Sequence, residues 1–133
     1  MIEFHLDPTS GVATYVQLIQ QVRQAIRLGM LRTGDQLPTA QQVVAALAIN
    51  PNTVLKAYRD LERDGLVRAR PGLGTFVIAT LPPTDPKAQA RFLASMAKWL
   101  ADARAAGLDP DDIEAIYRTS FRNAFSEGSE GVA

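Results

Sequence analysis

Apolar residues recur every three to four positions along most of this chain, the spacing of helices that bury one side. Tyr15, Leu18, Ile19, Val22 and Ile26 form the first such stripe, with Thr14 suited to cap it and Gly29 to end it. Residues 31–38 contain Gly34-Asp35 and a proline, so they read as a turn leading to a second cap at Thr39. A short helix over 40–47 follows and buries Val43, Val44 and Leu47. Asn50-Pro51 then starts a third helix: the asparagine caps, and the proline takes the first helical position, where a missing N–H costs nothing. That helix runs to about Asp64 and stops at Gly65. Val54, Ala57, Tyr58 and Leu61 line its inner side, while Asn52, Lys56, Arg59 and Arg63 lie outward.

Beyond Gly65 the period shortens. Residues 66–69 and 75–79 are β-prone, and Arg70-Pro71-Gly72-Leu73-Gly74 between them is turn chemistry, which predicts a β-hairpin. A proline-rich linker is expected over 81–86. Two more amphipathic helices follow. The first spans about 87–106 and carries Phe92, Met96, Trp99, Leu100 and Ala103 on one side. The second starts at Asp109-Pro110 and runs to about Phe125, with Ile113, Ile116, Tyr117, Phe121 and Phe125 in register. The last residues, 127–133, are small and polar and are expected to be a disordered tail.

Composition narrows the chemistry. The 133 residues include no cysteine and one histidine, His5, which excludes disulfides, thiolate metal sites, cysteine nucleophiles and histidine-rich metal centres. The acidic group Asp109, Asp111 and Asp112 reads as helix capping, so no metal and no cofactor are assigned. No apolar run reaches the roughly 18 to 20 residues of a membrane span, and Glu3 and Asp7 stand where a signal peptide is basic, so a cytoplasmic protein is expected. With no acid–base pair and no phosphate loop, the chain does not read as an enzyme. Fourteen basic residues balance fourteen acidic ones, so total charge provides no steering field for a polyanion.

The element order is nevertheless informative. Helix, turn, short helix, tight turn, helix and hairpin, in a mainly α chain with a small β-hairpin, is the sequence of a winged helix-turn-helix. Residues 1–80 would hold it, and 87–126 would form a separate two-helix segment. Asn52 and Thr53 begin the third helix with small polar side chains suited to base edges, and Lys56 lies one turn on. Arg70 and Gly72 stand at the hairpin tip, where phosphate or minor-groove contact is expected. Arg59 and Arg63, interleaved with Asp60, Glu62 and Asp64, read equally well as a solvated, ion-paired face.

The residues that carry these elements resemble the GntR family of bacterial transcription regulators. The matching run is Tyr15-x-Gln17, Ile26-x-x-Gly29-x-Leu31-x-x-Gly34-Asp35-x-Leu37-Pro38, Asn50-Pro51-Asn52-Thr53-Val54, Ala57-Tyr58-x-x-Leu61-Glu62-x-x-Gly65-Leu66-Val67 and Gly72-x-Gly74-Thr75-Phe76-Val77. The short two-helix extension is similar to the YtrA-type branch, in which the resemblance implies a homodimer. Phe92, Met96, Trp99, Ile113, Tyr117 and Phe121 are the residues expected to pair, since two helices cannot cover that much aromatic surface alone.

A symmetric dimer implies a palindromic operator on double-stranded DNA, and the family implies a sequence-specific repressor that a small-molecule effector can release. Two departures bear on contact: Thr39 stands where the family usually has serine, and Gln41 where it usually has a DNA-contacting arginine. Gln41 either reads a different base or weakens binding. The competing reading is a winged-helix adapter for another protein, with DNA binding weakened at Gln41.

Overall fold

The computed structural model describes residues 2–79 and 85–130 and resolves two compact units, 1–86 and 87–133. The linker residues 81–84 and the end of the expected tail, 131–133, lie outside the described residues.

In the first unit, α1 (Thr14–Arg27), α2 (Ala40–Leu47) and α3 (Pro51–Arg63) precede the antiparallel hairpin of β1 (Val67–Arg70) and β2 (Gly74–Val77), a winged helix-turn-helix as the sequence predicts. Leu18, Val22 and Ile26 of α1 share one core with Val43 of α2, Val54, Ala57 and Leu61 of α3, and Val67 and Val77 of the hairpin. The α2 boundaries follow from its ends. Thr39 Oγ1 accepts from Gln42 N at 3.1 Å while Gln42 Oε1 accepts from Thr39 N at 2.9 Å, a reciprocal capping box. Asn50 Oδ1 accepts from Asn52 N at 2.8 Å and Pro51 opens α3. At the other end of α3, Gly65 takes φ 79°, letting Leu66 N reach Leu61 O and Gly65 N reach Glu62 O. That closure turns the chain from α3 directly into the wing.

Several boundaries differ from the sequence reading. Thr14 is the first helical residue, and the N-cap is Ala13, which has no capping side chain. The polar work at that end falls to Gln17, whose amide bonds both the N–H and the carbonyl of Asp7 and also Val12 O. Gln21 does the same for the backbone of His5, so alternate residues of the N-terminal segment are held to α1 as if by a neighbouring strand. Residues 34–37 are more than a turn. Gly34 N bonds Val77 O, Val77 N bonds Asp35 O and Leu37 N bonds Thr75 O, so this stretch pairs with β2 through a Gln36–Phe76 bridge. β1 sits one residue later and β2 begins one residue earlier than expected, because Arg70 pairs with Gly74, and β2 ends at Val77, opposite Val67, rather than at 79.

Tyr58 is the polar member of the core. Its hydroxyl donates to the buried carbonyl of Pro38 at 2.6 Å, tying α3 to the entrance of α2. Burial pushes this hydroxyl well above the ordinary tyrosine value of 10.0. Above pH 10 the unfolded chain gives up the proton while the folded one keeps it, so stability is full below that pH. It should fall by about 1.4 kcal/mol per pH unit above it. Tyr58→Phe should cost about 1–3 kcal/mol at neutral pH by leaving the carbonyl unpaired. It should also remove this group's share of the alkaline loss, as urea midpoints between pH 7 and 11 would reveal.

The second unit is α4 (Pro86–Ala105) and α5 (Pro110–Glu130). Pro86, assigned to the linker from sequence, opens α4, where its missing N–H is harmless. Asp109 Oδ1 accepts from Asp112 N at 2.8 Å and Asp112 Oδ2 accepts from Asp109 N at 3.0 Å, so these carboxylates cap α5 as expected. α5 continues past Phe125 to Glu130, five residues beyond the end expected from the sequence. A formed helix extends residue by residue at little cost, and a single glycine at 128 is not enough to stop it.

Candidate nucleic-acid interface

The outer surface of α3 and the hairpin tip carry most of the residues expected to meet DNA. Capping of α3 through Asn50 leaves the Asn52 side chain exposed, without a hydrogen bond among the described residues, and Thr53 half-buried beside it. An exposed carboxamide at this position has the donor and acceptor needed to pair with an adenine edge. Lys56 is exposed, and its Nζ sits 3.9 Å from the ring centroid of Tyr15, the second residue of α1. The aromatic face holds the ammonium without neutralising it.

The acids of α3 are occupied elsewhere. Asp60 accepts from Arg63 at 2.9 Å, and the cap residue Asp64 pairs with Arg23 of α1 at 2.6 Å. Glu62 Oε2 accepts from Ala69 N at 2.5 Å, fastening the wing to α3. Arg63 therefore fits the solvated, paired face that the sequence allowed. Lys56 and Arg59 have no carboxylate partner among the described residues, and Arg59 Nε reaches only Leu55 O at 3.4 Å.

At the wing, Leu73 N bonds Arg70 O at 3.0 Å to close the turn around Gly72, and the Arg70 guanidinium lies 5.3 Å from the Phe76 ring. The tip is braced by a residue that sequence reasoning passed over: Gln36 Nε2 donates to Leu73 O at 3.1 Å. Gly74 has φ 129°, a conformation that L side chains rarely adopt, so a substitution there is strained; an added Cβ would also displace the Gln36 amide from the wing tip. Thr39 and Gln41 are both exposed at the start of α2, with the Thr39 hydroxyl engaged in capping.

The second unit exposes a broad apolar surface. Phe92, Met96 and Trp99 of α4 and Ile116 and Tyr117 of α5 line an open groove of about 470 Å³. Tyr117, Phe121 and Phe125 stack along α5 at centroid distances of 5.8 and 4.6 Å, with Phe121 51% and Phe125 71% exposed. Ile113 is half-buried near the turn.

Residues 14–77 match the profile described as bacterial regulatory proteins, gntR family. The HTH-type transcriptional repressor YtrA of Bacillus subtilis is 33% identical over 105 residues, covering 78% of this chain and 81% of that protein. The HTH-type transcriptional regulator Rv1152 of Mycobacterium tuberculosis is 36% identical over 107 residues, covering 80% and 84%. Among solved structures, YtrA from Sulfolobus acidocaldarius, a GntR-family transcription factor, superposes with a TM-score of 0.54 at 26% identity, covering 71% of this chain and 95% of that one.

Proposed function

Because this chain belongs to the GntR family of bacterial regulatory proteins, in its YtrA-type branch, and is a transcriptional regulator with a GntR-type DNA-binding domain rather than an enzyme, we propose that it is a homodimeric repressor of a palindromic operator. The observation that carries the reading is the likeness to a repressor across four-fifths of that protein's length, beyond the DNA-binding domain alone. In this reading residues 1–80 bind DNA, the segment over 81–85 links, and the two helices that Pro86 opens dimerise over 87–126.

Asn52 and Thr53 enter the major groove and Lys56 reaches a guanine or a phosphate. Thr39 and Gln41 meet the flanking backbone or bases, and Arg70 with Gly72 approaches the minor groove. Phe92, Met96, Trp99, Ile113, Tyr117 and Phe121 lose their exposure against a second copy. A small molecule that binds near these helices would release the operator, and the protein would work in the cytoplasm. No helix among the described residues is long and apolar enough to cross a membrane.

Sequencing the genomic fragments retained by the purified protein tests this. Inverted repeats with half-sites one helical turn, or a multiple of it, apart are expected, with affinity falling steeply as salt rises. Retention of no duplex in dilute salt, alongside a stable complex with another protein, would favour the adapter instead.

The Tyr15–Lys56 contact makes a smaller prediction. Tyr15→Leu should weaken operator binding about two- to fivefold by freeing the lysine, while Tyr15→Phe keeps the aromatic face and stays near wild type. The salt slope should be the same in all three, since the charge count is unchanged, and anisotropy titrations at several salt concentrations would check this.

A further inference from the structure

α3 turns its apolar side chains inward except for one. Val54, Ala57, Tyr58 and Leu61 are buried, whereas Leu55 is 45% exposed. Helical spacing sets it on the outer surface, three residues after Asn52 and four before Arg59. Lys56 adjoins it in sequence, and Arg59 Nε bonds its carbonyl. Glu62, seven residues on, lies on the same side and is fastened to the wing, so Leu55 stands between the polar reading residues and the hairpin. A lone exposed leucine is ordinary on a protein surface. This one flanks, on the wing side, the surface that the proposed function turns toward bases.

A leucine there can neither donate nor accept a hydrogen bond. Pressed against the major-groove edge of guanine, cytosine or adenine, it would strip water from polar atoms and return nothing. Thymine alone among the four bases offers an apolar group in that groove, its C5-methyl. We propose that Leu55 is a specificity-determining residue that reads a thymine methyl in each half-site. The inference rests on the DNA-binding reading and deepens it: Asn52 supplies the polar part of recognition, and Leu55 an apolar part that removal of one methyl group would expose.

The test uses a labelled duplex carrying the inverted repeat recovered by genomic selection, and a set of duplexes in which symmetric thymine pairs are replaced one pair at a time by deoxyuridine. This change deletes the methyl and keeps the base pair. Burial of one methyl corresponds to about a fourfold change in affinity, so one thymine pair should cost the wild type about 15-fold when both half-sites are changed. Leu55→Ala should bind the thymine and deoxyuridine versions of that site equally, and Leu55→Met, which keeps an apolar chain of similar reach, should keep the preference. Both variants should melt with the wild type, because the side chain is half exposed. Equal binding of every deoxyuridine duplex by the wild type, or an undiminished methyl effect in Leu55→Ala, overturns this inference alone. Absence of binding to the thymine duplex itself overturns it together with the proposed function.

Discussion

Phe121→Asp is expected to convert the proposed dimer into a monomer and to weaken binding to the full inverted repeat by roughly 10²- to 10⁴-fold. Phe121 is 51% exposed and stacked between Tyr117 and Phe125, at the centre of an aromatic ladder that its own unit leaves uncovered. A carboxylate in that position would have to shed its water on pairing with nothing to replace it, which a dimer interface cannot offset. The side chain is exposed enough within its own unit that α4 and α5 should still fold. Affinity for an isolated half-site should be unchanged, because α3 is untouched. The large loss arises because one bound subunit no longer holds the second at high local concentration. Sedimentation at micromolar protein, paired with anisotropy on full and half operators, separates the two effects. A Phe121→Asp variant that still sediments as a dimer would move the interface to another surface.

What the sequence made legible tracks where a side chain acts on its own neighbourhood. The α2 bounds were readable because Thr39 and Gln42 bond each other's backbones, and the start of α3 because Asn50-Pro51 combines cap and first-turn residue. The exposed apolar surface of the second unit was readable as aromatic residues in excess of what two helices can cover. Two features were hidden because they depend on residues far apart in the chain, and a third because its residue type gives no signal.

The pairing of 34–37 with β2 comes from backbone groups 40 or so positions away, so a glycine-containing stretch that reads as a turn also bridges to the hairpin. Tyr15 reads as an ordinary stripe residue, and only the packing of α1 on α3 reveals it as the seat of Lys56. The sharp turn before α3 passes through Ala48 at φ 55°, a left-handed conformation that an alanine gives no local reason to expect. Leu55 is a different kind of omission: the helical wheel already sets it outside, but an apolar residue is easily left off a search for polar contacts.

Leu61→Ala should be the most damaging single change in the first unit, at about 2–5 kcal/mol. Leu61 is fully buried (0% exposed), belongs to the core that joins α1, α3 and the wing, and its carbonyl accepts the Leu66 N–H that closes α3. Truncation removes the transfer energy of the lost methyl groups and leaves a cavity that three elements would have to move together to fill. A unit of this size has about 4–12 kcal/mol of stability in all. The loss should therefore lower the melting temperature by about 10–30 °C. It should also weaken operator binding before the unit melts, because the same side chain sets how α3 and the wing stand relative to each other. Leu55→Ala provides the contrast on the same helix: little change in melting, with the change confined to base preference. A Leu61→Ala protein that melts within a few degrees of wild type would mean the core closes around the gap, and that α3 is held chiefly by Tyr58–Pro38 and Arg23–Asp64 instead.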